Sequence, residues 1–493
     1  MKGELSGEMN GKDIVFAFCM LVCGFLYWNL INAAGLGLGV TLFAAALCAA
    51  TLVYLRASGF RQSKQSLIFL GIIALSAANF TLFDGTLIKG LNFIFLSLAF
   101  VYWVCISTGM RLENRISIYV ISDMLRQLFM IPFGNFEGCF QGVRQVFAKN
   151  KKGKGVLGGI VGILIFLPVL ILVASLLTDA DAAFESLIDK LRFSVSENMM
   201  ENLLDVILGL PVACYLYGLI YGNRYRRKAG NATLKSVDGR VKAFRFAPGA
   251  AVFSALTALN LIYAVFFLAQ TSYLFSAFRD SLPQSMTYAE YARRGFFELC
   301  AVSGINLAVI TAAHLIAKRD HVKVLRAETV ALCIFTIALI ATAMSKMGMY
   351  VSSYGLTQLR VYTSWFMIVL LLVFVIVLLR QFRSFNGTRI AAAGFICLFM
   401  ILCYGNVDGM IAKYNIERYQ AGTLASLNAA DFSGLSDGAV PYLYEGYLKI
   451  DDPKIKEELS HYVIKGPTEI RPEGNFRDFN FQSDRADRIR EGL

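Results

Sequence analysis

Three charged side chains at four-residue spacing, Glu290, Arg294 and Glu298, lead into an apolar helix and form the clearest chemical constellation in the chain. Positions i, i+4 and i+8 share one helical face, so Arg294 can pair with either acid. Glu298 stands about one turn inside the apolar run, where a charge is costly unless it is partnered or functional. Arg360 begins another apolar run, after Tyr350 and Tyr354; Asn406 and Asp408 end a third, and Tyr414 follows. Lys346, Asp205 and Asn79 also stand near run ends. The candidate ligand-binding residues are therefore Glu290, Arg294, Glu298, Arg360, Asp408, Tyr354 and Tyr414. The charges would orient a polar ligand, and the tyrosines would wall it while keeping their hydroxyls in the polar layer. Plain interfacial anchoring is the competing account, because long charged side chains and tyrosines collect at membrane surfaces.

Other chemistry finds little footing. Asn260 and Asn306 sit midway along their runs, where a cross-helix hydrogen bond is the default use of an amide. There is no midplane row of carboxylates, no nucleophile beside a base, and no pair of acids in an aqueous cleft, so the chain leans away from catalysis. All the cysteines except Cys139 lie in apolar runs, without a CxxC pair or a link to the histidines, which calls for no metal and no cofactor. Gly35, Gly37 and Gly39 imitate part of a dinucleotide fingerprint, yet they join two apolar runs rather than a strand and a helix. Gly155, Gly158, Gly159 and Gly162 have the small-residue spacing that lets two helices approach closely.

These residues hang on eleven apolar runs: Ile14 to Ile31, Leu38 to Leu55, Ser66 to Phe83, Ile88 to Thr108, Val156 to Leu177, Glu201 to Gly222, Pro248 to Ser276, Gly295 to Ile316, Glu328 to Ser345, Val361 to Leu379 and Ile390 to Tyr404. Most have the roughly 17 to 25 residues needed to cross ~30 Å of hydrocarbon as a helix. With 56% hydrophobic residues, a soluble fold would have too little polar surface to cover itself. The expected fold class is all-α, a polytopic transmembrane helical bundle.

Lysine and arginine orient the bundle. Loops 56 to 65, 109 to 155, 223 to 247, 317 to 327 and 380 to 389 carry 3, 8, 8, 4 and 3 of them. The intervening loops reach only 8 altogether, even with Lys89 counted among them. Short basic loops stay cytoplasmic, so the N-terminus reads as cytoplasmic and the C-terminal tail as extracytoplasmic. The net charge of +12 arises mainly in those loops, so it points to no nucleic acid. Clusters such as Arg224, Arg226, Arg227 and Lys228 face the bilayer as partner and attract anionic lipids.

Two stretches lie outside the spans. Residues 109 to 155 alternate apolar and charged side chains up to Pro132 and Gly134, which predicts an amphipathic helix on the cytoplasmic face and then a turn. The division expected is a transmembrane bundle over 1 to 406 and an extracytoplasmic C-terminal module over 407 to 493. From Asp408 onward the tail carries 15 acidic and 11 basic residues, and its apolar groups suit a small helical module leaning on the bundle.

The segments TYAEYARRGFFEL (Thr287 to Leu299), YGLTQLRVYTSWFM (Tyr354 to Met367) and NVDGMIAKYNIERY (Asn406 to Tyr419), followed by LSDGAVPYL and FRDFN, resemble the uncharacterised bacterial membrane proteins of domain-of-unknown-function family 4173. That resemblance implies a bacterial cytoplasmic membrane and no particular activity. All of these motifs fall at or beyond the outer ends of the eighth, tenth and eleventh spans. The expected role is non-enzymatic: binding an envelope ligand or a membrane or envelope protein partner at the extracytoplasmic face, in signalling or assembly. The alternatives are a transporter or flippase of a small or lipid-linked substrate and, third, an integral-membrane enzyme acting on an envelope lipid. An aqueous cavity reaching past Asn260 and Asn306 would favour transport, whereas a sealed interior with an outer groove would favour binding.

Overall fold

The computed structural model describes residues 9–31, 35–148, 177, 197–227, 234–269, 296–318, 321–424, 426–427, 429–465 and 475–492. Ten helices among them are long and apolar enough to cross a membrane. In chain order the helices are α1 (Gly11–Leu30), α2 (Leu38–Ala57), α3 (Lys64–Leu82), α4 (Thr86–Ser107), α5 (Val120–Leu125), α6 (Ile131–Gly134), α7 (Gly138–Ala148) and α8 (Glu197–Tyr225). They continue as α9 (Leu234–Ala243), α10 (Gly249–Ala269), α11 (Phe296–Ile316), α12 (Val322–Tyr354), α13 (Gln358–Phe382) and α14 (Gly387–Tyr404). The tail adds α15 (Val407–Gln420), α16 (Val440–Lys449), α17 (Pro453–Lys465) and α18 (Phe481–Glu491). The one β pairing among the described residues is the bridge between Ala247 and Ala317. The chain is thus an all-α, multi-pass membrane protein. Ten of the eleven expected spans coincide with these helices, while Val156 to Leu177, together with the Gly155 to Gly162 spacing, lies outside the described residues apart from helical Leu177.

Large apolar side chains point outward from the bundle, Leu268 being 72% and Val53 70% exposed, as hydrocarbon surroundings permit. Small polar side chains start several helices by taking up backbone N–H groups that have no partner in the first turn. Ser63 accepts from Ser66, Thr357 from Arg360, Asn386 from Arg389, and Asn480 from Ser483. The ninth expected span, Glu328 to Ser345, runs instead as a 33-residue helix, α12. The apolar run marks only its middle. At about 1.5 Å per residue, α12 is ~50 Å long and carries Tyr350 and Tyr354 beyond a ~30 Å core.

Residues 109 to 119 form a loop, and residues 120 to 148 are helical apart from a turn at 135 to 137. A π-helical turn, Arg126–Met130, joins α5 to α6 without a gap, and the polar groups turn inward while the apolar ones face out. Asp123, Arg126 and Gln127 are buried, whereas Ile118, Ile121, Leu125, Phe129 and Phe133 are exposed. Asp123 accepts from Arg126 at 3.0 Å and from the Leu112 backbone N–H at 3.2 Å, and Gln127 exchanges amide bonds with Asn223 of α8 at 2.8 and 2.6 Å. The segment therefore packs on the bundle through its polar side.

Contacts between helix ends gather the basic loops at one end of the bundle. Tyr54 meets Asp13, Ser66 meets Ser107, Thr108 meets Asn223, and Asn386 reaches Ile116. At the other end Leu38 bonds Phe479, Asp84 bonds Gln482, and Arg418 bonds Ser352. The tail occupies that second end, where its core packs with α4 and α14.

Candidate functional site

The tail end is held by buried polar groups. The turn Phe83 to Gly85 between α3 and α4 places Asp84 against the tail: its carboxylate accepts from Lys89 at 3.2 Å and Asn480 at 3.0 Å, while its backbone N–H donates to Gln482 at 2.9 Å. Asp408, in the first turn of α15 and 3% exposed, accepts from Gln358 of α13 at 2.7 Å and from the Ser436 hydroxyl and N–H at 2.6 and 3.1 Å. Asp437, 1% exposed, accepts from Arg490 of α18 at 2.7 Å. Asn406 adopts the left-handed conformation (φ 41°, ψ 60°) to turn the chain sharply from α14 into α15. A cavity of about 20 Å³ remains between Asn79, Lys89, Asn406, Asp408, Ser436 and Gln482. That volume suits a water rather than a substrate. Chemically, this cluster fastens the tail.

The connection between α1 and α2 completes the fastening. The backbone of Arg477 and Asp478 lies so close to Gly37 that a Cβ there would overlap it, and a Cβ at Gly39 would overlap the Leu30 carbonyl. The glycines that imitate a nucleotide fingerprint are the seat of the FRDFN turn, with Leu38 N–H donating to the Phe479 carbonyl at 2.9 Å.

Beside this latch, α11, α12 and α13 enclose a groove of about 250 Å³ lined by Phe296, Phe297, Met347, Tyr350, Leu359 and Arg360, among others. Arg360 donates to the carbonyls of Tyr354 and Gly355 at 2.9 and 2.6 Å, and its guanidinium lies 4.1 Å from the Tyr350 ring centroid. Arg418 reaches the Ser352 carbonyl at 2.8 Å and the Tyr414 hydroxyl at 3.3 Å. Two arginines thus satisfy the carbonyls left open at the end of α12, where the helix dipole also favours positive charge. Asp431 lies close enough to Arg360 for their charges to interact; burial pushes the Asp431 carboxyl up, and Arg360 opposes this.

Of the sequence candidates, Glu290 and Arg294 lie outside the described residues. Glu298 is exposed on the first turn of α11, with its charge acting on Lys346 of α12. Arg360 and Tyr354 share the end of α12. Asp408 and Tyr414 lie on α15, with Gln358 linking Asp408 to the start of α13. Among the described residues no ion pair joins Arg360 to Asp408. The amide of Asn306, fully buried, accepts from Tyr263 at 2.7 Å and donates to Thr336 at 2.9 Å, and Asn260 donates to Glu328 at 2.7 Å. These amides are packing devices.

Sequence reasoning missed a second polar knot, at the basic end. Asp13, 1% exposed, accepts from Tyr54 and Tyr225 at 2.7 Å each and from Arg224, whose guanidinium lies 4.8 and 4.7 Å from those two rings. The signal was present: an acid immediately before the first apolar run, and an Arg just past the end of another.

No curated protein and no solved structure matches the chain. The resemblance to family 4173 does not stand, because the family model that fits is a different one. The segments that suggested it are short and rich in tyrosine, arginine and asparagine, which polytopic proteins concentrate at helix ends whatever their family. The model that fits covers residues 68–446, and the chain belongs to the family it defines, the domain of unknown function DUF4153.

Proposed function

We propose that this membrane protein is non-catalytic and binds a ligand or partner carrying an anionic group in the groove between α11, α12 and α13, in a signalling or assembly role. The groove carries the proposal: Arg360 is its cation, Tyr350 and Thr357 are polar, and Phe296, Phe297, Met347 and Leu359 are its apolar walls. The cross-helix bonds of Asn306 to Tyr263 and Thr336, and of the Asn260 amide N–H to Glu328, support binding over transport, since they use these groups for packing between helices. The distribution of lysine and arginine supports an extracytoplasmic groove. One observation favours a second reading, a transporter or flippase of a lipid-linked substrate: an apolar cavity of about 520 Å³ among α1 to α4, α6 and α8, with Phe43, Phe100 and Tyr215 in its wall.

The test is a photo-crosslinking residue at Leu359, which is 59% exposed at the groove, activated in the source membrane and followed by mass spectrometry of lipids and proteins. A defined adduct that is lost in Arg360→Gln and in the groove-filling Thr363→Trp is expected. Adducts unchanged by both variants would sink the binding reading, and movement of a labelled lipid across reconstituted vesicles would put the flippase in its place.

A further inference from the structure

At the end of the bundle opposite the tail, α3, the end of α4 and α14 enclose a crevice of about 300 Å³ that the groove reading does not involve. Ile68, Phe69 and Ile72 form one wall, Ile396 and Cys397 the other, and Arg111 and Arg389 stand on opposite sides with Gln65. We propose that this crevice holds an anionic glycerophospholipid, its phosphate between the two arginines and its acyl chains along α3 and α14.

Four observations carry it. First, the arginines stand on fixed walls. Arg111 donates to Gln65 at 2.6 Å, and Asn386, which caps the start of α14, donates to the Ile116 carbonyl at 2.7 Å and ties the Arg111 loop to the helix bearing Arg389. Second, among the described residues no carboxylate lies within salt-bridge distance of either arginine; Asp123, whose charge reaches Arg111, is already paired with Arg126 at 3.0 Å, and Arg111 Nε is buried without a hydrogen-bond partner. A buried guanidinium N–H left open is costly, and a phosphate oxygen would satisfy it. Third, the apolar walls continue along membrane-crossing helices, with Ile68 at 62% exposure, so the crevice opens sideways towards acyl chains rather than water. Fourth, this is the end that gathers the basic loops, where anionic headgroups concentrate. The open flank selects a lipid over a free phosphate ion, since inorganic phosphate would leave the isoleucine walls empty.

The full-length protein, delipidated in detergent, is titrated with phosphatidylglycerol, phosphatidylcholine or inorganic phosphate, and bound adducts are read by native mass spectrometry. Phosphatidylglycerol should be retained in preference to phosphatidylcholine. Arg389→Gln, which breaks no side-chain partnership among the described residues, should weaken it about fivefold, and Arg111→Gln with Arg389→Gln should weaken it further. Arg380→Gln with Arg383→Gln removes the same charge from the same end, outside the crevice, and should leave binding nearly unchanged. Equal retention of the two lipids, or equal losses from the two double variants, would reduce the site to diffuse attraction and overturn the proposal. Competition by inorganic phosphate at equal concentration would overturn the lipid assignment.

Discussion

Replacing Asp408 by alanine should release the tail. The carboxylate accepts three hydrogen bonds, two from Ser436 and one from Gln358, at 2.6 to 3.1 Å and 3% exposure. Bonds to a charged acceptor contribute roughly 1.5–3 kcal/mol each, but water can enter the vacated space and re-satisfy some donors, so a loss near ~3 kcal/mol is the reasoned figure. That corresponds to roughly a hundredfold higher population of the opened tail. Limited proteolysis in nanodiscs reads this directly, because cleavage of a transiently opened segment follows its opening equilibrium when reclosing is fast. Fragments ending between α15 and α16 should appear about a hundred times faster, while the helices of the bundle stay intact. Ser436→Ala alone should show a smaller effect, and adding it to Asp408→Ala should cost little more, because the two side chains share one bond. Cleavage at the unmutated rate, or strictly additive effects, would show that Asp408 does not hold the tail.

At the opposite end, Arg224→Met strands the Asp13 carboxylate among tyrosines; a loss of about 3 kcal/mol is expected, towards the low end for a broken buried pair because the Tyr54 and Tyr225 hydroxyls stay bonded to it. A thermal double-mutant cycle with Asp13→Asn measures the coupling, and near-zero coupling would remove the pair. Gly24→Leu should destroy the packing of α1 on α8, since a Cβ there would overlap the Gly209 carbonyl, whereas Gly71→Ala, with open space around it, should be neutral; comparable yields of folded protein for both would refute the crossing. For topology, in a background lacking exposed cysteines, Lys454→Cys should react with an impermeant maleimide in intact cells and Lys235→Cys only after permeabilisation; the reverse pattern inverts the orientation.

The spans were legible in the sequence because their signal is composition over about twenty residues, which no single neighbour can override. Their ends were less so: α12 extends through Lys323 and Arg326 on one side and Lys346 on the other, and hydropathy drops where charges appear even though the helix goes on. The outer site was legible in part. A charge in an apolar run flags itself, which is how Arg360 and Asp408 were singled out, but its partner is set by helix packing. Asp408 found Ser436 and Gln358, and Arg360 found the carbonyls ending α12. Asp84 and Asp437 gave no such warning, because an acid in a short turn looks like an ordinary solvated residue until the tail folds over it.

Both ends of the molecule face one physical problem. Helix ends leave carbonyls and N–H groups open, and hydrocarbon cannot satisfy them. At the tail end the open groups are met by protein: Arg360 and Arg418 cap α12, Asn415 bonds both the N–H and the carbonyl of Leu356 at 2.7 and 2.8 Å, and Asn79 donates to the Cys403 carbonyl at 2.7 Å. Each of these bonds crosses between elements, so loosening one helix end would disturb the next. An occupant of the groove would touch Arg360, and through it the cap of α12, while Gln358 two residues earlier holds Asp408 and the tail. Binding at the groove, as proposed, would therefore draw on the same turn, Gly355 to Thr357, as the fastening of the tail. A ligand that pulls Arg360 off those carbonyls should loosen the tail by the same free energy with which tail release weakens the ligand.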